Sequence, residues 1–215
     1  MQTRIPLLPG ILAVVLWVVG IVIIEGVAGA VPEDASAEQV LAFYRENENA
    51  VAAGSWIFML GALAFMWFAT LLRSRLLAAE GGTGPYSTLA FAGAVATAIF
   101  ALGVPAGGFA VAIAVDDVGA PAAQALHATG TVFFVGAELS AIVLLLGAAV
   151  VSLRTRALPR WWAVVSIVLA VWLVIGPIGW LGLLLGVPIW TIITSTILAF
   201  GRDAARGEAP RTAAA

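Results

Sequence analysis

Apolar runs of membrane-spanning length constrain this chain more than any motif does. A spanning helix needs about 20 apolar residues. Six such runs lie near 6–28, 51–72, 87–114, 122–152, 161–178 and 181–200. Only 10% of the residues are charged, against 62% hydrophobic, and the mean hydropathy is +1.08. Soluble domains carry about a quarter charged residues. The expectation is an all-α, polytopic transmembrane helix bundle of six spans. It forms a single transmembrane domain over 1–201, followed by a disordered cytoplasmic tail over 202–215. The runs at 87–114 and 122–152 exceed what a bilayer needs, so they must tilt, break or protrude.

The charges orient the spans. Arg4, Arg73, Arg75, Arg154, Arg156, Arg160, Arg202, Arg206 and Arg211 all fall on one side if both termini are cytoplasmic. The opposite loops hold Glu33, Asp34, Glu38, Glu46, Glu48, Asp116 and Asp117, with Arg45 among them. A rival reading makes the first run a signal peptide, with Arg4 before it and "AGA" at Ala28–Ala30 after it. The run is too long for that, and Glu25 sits close to the cleavage point, so the span is retained. Cleavage would leave five spans and an external N-terminus. The net charge of −2 and the lack of a basic run give no reason to expect nucleic acid. Cysteine is absent, which excludes disulfides, thiolate nucleophiles and cysteine metal sites.

Local signals refine this frame. "SAEQ" at Ser36–Gln39 is a capping box that starts a short amphipathic helix in the first outer loop, carrying Val40, Leu41, Phe43 and Tyr44. That helix either lies on the outer membrane face or caps the bundle, as simple packing of a connecting loop or as a lid over a cavity. "LGVPAGGF" at Leu102–Phe109 weakens the third span, either as a packing kink or as part of a pocket wall. "FAGAVATA" before it implies close helix contact. "GPIGW" at Gly176–Trp180 is expected to be a tight turn between spans five and six.

The chemistry centres on an acid. Glu138 falls near the middle of "TVFFVGAELSAIVLLLG", Thr131–Gly147. An ionised carboxylate in hydrocarbon costs a few kcal/mol or more. Glu138 is therefore expected to face the bundle, protonated and poised to donate its proton. The alternative is a protonated acid that merely hydrogen-bonds a carbonyl or hydroxyl on another span. Helical spacing puts His127, Thr131, Phe134 and Glu138 on one face, a stripe from the outer surface inward. Glu25, near the outer end of span one, either joins His127 at a cavity mouth or only reaches the interface. His127 is the only histidine, so it makes no metal site, which would need three or four ligands. It could relay a proton or only cap hydrogen bonds at the helix end.

Eight tryptophans are the second signal. Trp161, Trp162 and Trp180 fit membrane interfaces. Trp17, Trp172 and Trp190 fall near span centres, where an indole N–H facing lipid would lack a partner. They are expected to point inward, with Thr191, Thr194 and Ser195 beside Trp190. The result is either a packed core or a deep aromatic pocket around one carboxylic acid.

The segments "ASAEQVLAFYRENENAVAAGSWIFMLGALAFMWFATLLRSRLLAAEGG" and "RTRALPRWWAVVSIVLAVW" resemble a broad set of small polytopic membrane proteins of high-GC Gram-positive bacteria. The resemblance implies a multi-pass protein of the bacterial cytoplasmic membrane and carries no catalytic signature. A membrane acid among aromatics is similar in kind to membrane-bound terpene cyclases, where an acid protonates an alkene or epoxide and aromatic faces stabilise the cation. No motif of that family matches residue by residue. Three functions follow. As an enzyme on an isoprenoid- or lipid-like substrate, Glu138, with His127 and Glu25, would supply the acid chemistry. Trp17, Trp172, Trp190 and Phe134 would stabilise positive charge, and Thr131, Thr194 or Ser195 would orient substrate. No cofactor is expected. As a proton-coupled transporter, the stripe would be the proton path and a homodimer would supply a missing repeat. As a lipid-binding or assembly protein, Glu138 would join helices.

Overall fold

The structure is a computed structural model describing residues 7–32 and 34–207. Arg4, Glu33, Arg211 and the last eight residues of the expected tail lie outside the described residues. Helix α1 (Leu7–Ile21) continues as a π-helical segment, Val22–Ala28. Then follow α2 (Ala37–Ala79), α3 (Pro85–Gly103), α4 (Ala106–Ile113) and α5 (Ala120–Thr155). Helix α6 (Arg160–Val174) and α7 (Gly176–Leu181) lead through a second π-helical segment, Gly182–Gly186, into α8 (Val187–Gly207). Five segments are long and apolar enough to cross a membrane, and α6 is a shorter apolar helix. The chain is an all-α, multi-pass membrane protein.

The passes alternate in direction, so like charges collect at opposite ends. One end holds Arg73, Arg75, Arg154, Arg156 and Arg160. There the Arg73 guanidinium lies 5.2 Å from the Phe91 ring centre and that of Arg154 4.6 Å from the Tyr86 ring centre. The chain turns from α2 to α3 through Gly81 and Gly82, whose φ of 82° and 92° favour glycine. The Glu80 carboxylate accepts from the Ser87 N–H at 2.7 Å and so caps the start of α3. The other end holds Glu25, Glu38, Glu46, Glu48, Asp116 and Asp117, with Arg45 among them as Glu80 is among the arginines.

Small residues set the helix contacts. Lipid gives no hydrophobic drive between helices, so close approach must supply the packing energy. A methyl on Gly20 would fall 2.8 Å from the Gly54 carbonyl oxygen, and one on Gly61 2.7 Å from the Trp17 ring. On α3 and α5, a methyl on Gly93 would collide with the Leu144 backbone, and one on Gly147 would lie 2.7 Å from the Ala90 nitrogen. The "FAGAVATA" face is thus the contact between α3 and α5, with Ala90, Ala94, Thr97 and Ala98 buried.

Several boundaries differ from expectation. The Ser36–Gln39 capping box forms, with Gln39 N–H donating to Ser36 Oγ at 3.3 Å and Ser36 N–H to Gln39 Oε1 at 2.7 Å. The helix it starts is not a separate element. It runs on as the second span, with one kink at Asn47 (φ −124°, ψ 18°), where the Asn47 side chain donates to the Phe43 carbonyl at 3.0 Å. The part before the kink buries Val40, Leu41 and Tyr44 against Val111, Val115 and Ala123, so it caps the bundle. The third run breaks at Val104 and Pro105, between α3 and α4. The expected turn Gly176–Trp180 is already the first turn of α7, and the reversal falls on Ile175 (φ −81°, ψ 85°). Pro177 sits at the start of α7, where a missing N–H is harmless. Helix α8 stays helical to Gly207, past the expected start of the tail.

Candidate functional site

The irregular backbone converges on one cavity at the acid end. It has a volume of about 450 Å³. Its wall takes Ile24 and Glu25 from the first π-helical segment, and Tyr44, Val51, Ser55 and Phe58 from both sides of the α2 kink. Val104 and Pro105 come from the α3–α4 break, and His127, Gly130, Thr131 and Phe134 from α5. Trp180 and Leu184 come from α7 and the second π-helical segment. Non-helical backbone at membrane depth is tolerated where it is buried or lines a cavity, and π-bulges concentrate at functional sites.

Two of the polar wall groups support each other. The Tyr44 hydroxyl lies 2.9 Å from His127 Nδ1, and the two rings meet edge to face at 6.0 Å. Gly108 makes room for that hydroxyl, since a methyl there would sit 2.9 Å from it. Gly107 draws α4 onto α5, because a methyl on it would collide with the Leu126 carbonyl. Gln124 donates to the Ala35 carbonyl at 3.2 Å and ties the start of α5 to the loop before α2. The exposed Glu25 side chain lines the same cavity as Tyr44 and His127. "LGVPAGGF" therefore serves both of its expected roles. Gly107 packs two helices, while Pro105 and Gly108 shape the wall around the cavity and the tyrosine.

The α5 stripe lines the cavity as far as Phe134, and then leaves it. Glu138, one turn on, is not part of the wall. Its Oε1 presses on Gly179, whose added methyl would also meet the Leu173 carbonyl at 2.8 Å. That carbonyl is four residues before Pro177, which has no N–H to give it. Helix α6 has 15 residues, about 22 Å of rise, less than the roughly 30 Å hydrocarbon thickness. Its end therefore lies at membrane depth, and its carbonyls need partners. Ile175 N–H bonds the Trp172 carbonyl at 3.0 Å, Gly179 N–H bonds that of Ile175 at 2.8 Å, and Trp172 Nε1 donates to that of Ile178 at 3.0 Å. The Glu138 Oε1 is buried beside this break without a hydrogen-bond partner.

The central tryptophans occupy a different place. Trp190 is 1% exposed and stacks on Trp162 at 6.5 Å and 13°. Trp190 Nε1 donates to Ser166 Oγ and Trp162 Nε1 to Thr194 Oγ1, each at 2.8 Å. Trp162 is only 3% exposed, so it is a core residue and not the interfacial anchor expected beside Trp161, which is 57% exposed. Thr191 bonds the Val187 carbonyl, and Ser195 packs onto Gly10. Trp17 lies against Phe58 and Phe65, and Phe65 and Phe68 continue the line of rings to Trp190. Thus Glu25, His127, Thr131 and Phe134 meet at the cavity. Trp17, Trp190, Thr194 and Ser195 are buried in the packed core, while Trp172 and Glu138 each lie at the α6–α7 break, near Ile178 and Gly179 respectively.

Tyr44 and Ser55 are wall residues that sequence reasoning passed over. Tyr44 entered only as one apolar residue of the amphipathic outer helix, with no role of its own at a site. A spacing signal for Ser55 exists, since it lies eleven residues from Tyr44 and so shares its helical face, but the Asn47 kink interrupts it. No protein-family model, curated protein or solved structure matches the chain.

Proposed function

We propose that this chain resides in the bacterial cytoplasmic membrane, takes a hydrophobic isoprenoid- or lipid-like molecule into the acid-end cavity, and transfers a proton at that molecule's polar end. One observation carries this reading: four interruptions of helix geometry meet at a single cavity that also gathers Glu25, Tyr44 and His127. A mostly apolar pocket with a few placed polar groups is the usual form of a small-molecule site. The Tyr44 hydroxyl and His127 Nδ1 share one hydrogen bond, which fixes the ring and leaves Nε2 to exchange a proton with the ligand. Phe58, Phe134 and Trp180 offer ring faces to an alkene or cation. With the arginine-bearing end in the cytoplasm, both termini are cytoplasmic and the cavity belongs to the outer half of the membrane. Glu138 lies outside the cavity wall, beside Gly179 of the α6–α7 break, and takes no part in this proton transfer.

The test is product analysis after incubating the protein, in liposomes in deuterated water, with farnesol and other linear isoprenoids. Wild type is expected to return product that is rearranged or carries carbon-bound deuterium. His127→Gln should lower the rate by roughly 10²- to 10⁴-fold, the usual contribution of a general acid or base, and Tyr44→Phe by less. Isoprenoids returned unchanged and free of carbon-bound deuterium would end the proton-transfer reading. Binding without turnover would instead make the chain a carrier or a lipid-binding protein.

A further inference from the structure

We infer that Ser55 is a second hydrogen-bonding point for the occupant of the acid-end cavity, and that this occupant carries polar groups at both ends of an apolar body. The inference rests on the cavity being a ligand site, as proposed above. Ser55 is 1% exposed, and its Oγ is buried with no hydrogen-bond partner. Other helical hydroxyls in this bundle behave differently. Thr70, Thr97, Ser152, Ser166 and Thr191 each donate to the carbonyl four residues back, at 2.7–3.0 Å. Ser55 has the Val51 carbonyl at the same spacing and leaves it unused. The Ser195 Oγ is also unpartnered, but it is shut in by Gly10 of α1. Ser55 instead belongs to the cavity wall, between Val51 and Phe58 on α2.

A buried hydroxyl without a partner costs free energy, so its retention calls for a cause. A ligand oxygen supplies one. The Ser55 oxygen is covered by its neighbours, so a ligand reaches it when the wall side chains shift or the serine turns between staggered wells. Eight residues of helix, about 12 Å of rise, separate Ser55 from the Asn47 kink, beyond which Tyr44 meets His127. Ile24, Val51, Val104 and Phe134 suit an apolar body. The exposed Glu25 carboxylate disfavours an anionic head, so hydroxyls fit both ends better than a fatty acid does.

The test compares 1,12-dodecanediol with 1-dodecanol in equilibrium binding to the full chain in lipid nanodiscs, for wild type and Ser55→Ala. Wild type should prefer the diol by roughly three- to tenfold, the worth of one hydrogen bond. Ser55→Ala should lose that preference, bind 1-dodecanol as before, and melt without ligand at the same or a higher temperature. Equal binding of both alcohols by both proteins would overturn the role of Ser55 and leave the cavity reading intact. If neither alcohol binds, the cavity reading itself fails, and this inference with it. A lower melting temperature for unliganded Ser55→Ala would show that the hydroxyl holds the fold and would also overturn the proposal.

Discussion

At the scale of single residues, burial decides which polar groups are structural. The Trp162–Thr194 and Trp190–Ser166 bonds close a pair of buried donors inside the core, and Ser166 Oγ also donates to the Trp162 carbonyl. Ser166→Ala leaves the Trp190 indole N–H buried and unpaired, which costs about 1–3 kcal/mol. A lowered melting temperature with unchanged alcohol binding is the expected result, because Ser166 lies outside the cavity wall. Sequence placed Trp190 inward correctly in direction, since a mid-span indole needs a partner. It could not say that the partner was Ser166, because Trp162 looked like an interfacial residue beside Arg160. Glu138 shows the same limit. Its oddness was visible in an apolar run, but its neighbours depend on where α6 reverses, and that follows from Ile175 and Pro177 acting together.

At the scale of elements, glycine positions separate contact from loop. Gly107 has the Leu126 carbonyl where a methyl would go, whereas Gly119 has open space around it. Gly107→Ala should destabilise the protein by about 1–3 kcal/mol, as overpacking does, and should weaken alcohol binding by pushing α4 away from the Tyr44–His127 pair. Gly119→Ala, compared by thermal melting and by the same binding measurement, should be close to wild type. If the two variants behave alike, the α4–α5 contact does not set the cavity. The spans themselves were legible because hydropathy over about 20 residues overrides local detail. The Asn47 kink was not, since one asparagine inside a capped, amphipathic start gives no breaking signal. The α6–α7 junction was misjudged for the opposite reason. "GPIGW" has turn composition, yet glycine and proline are also tolerated in the first turn of a helix.

At the scale of the whole molecule, the bundle divides into a regular part and an irregular one. Toward the arginine-bearing end, α2, α3, α5 and α6 are unbroken and close-packed through small residues. Toward the acid end, both π-helical segments, the Asn47 kink and the Pro105 break surround the cavity, and the chain's only histidine stands at its wall. Such breaks forgo helix hydrogen bonds, and their gathering at one place is what a ligand site would require. Composition showed the membrane and the stripe from His127 to Phe134, but the cavity is built from five separate passes whose registers no single-span pattern encodes. The most direct measurement is photolabelling in native-like bilayers with a diazirine-bearing long-chain alcohol, mapped by mass spectrometry. Labels should fall on wall residues drawn from different passes, such as Ile24, Phe58 and Phe134, and should be competed away by unlabelled alcohol. Labelling spread over the lipid-facing surface of α1 and α6, without competition, would contradict the account.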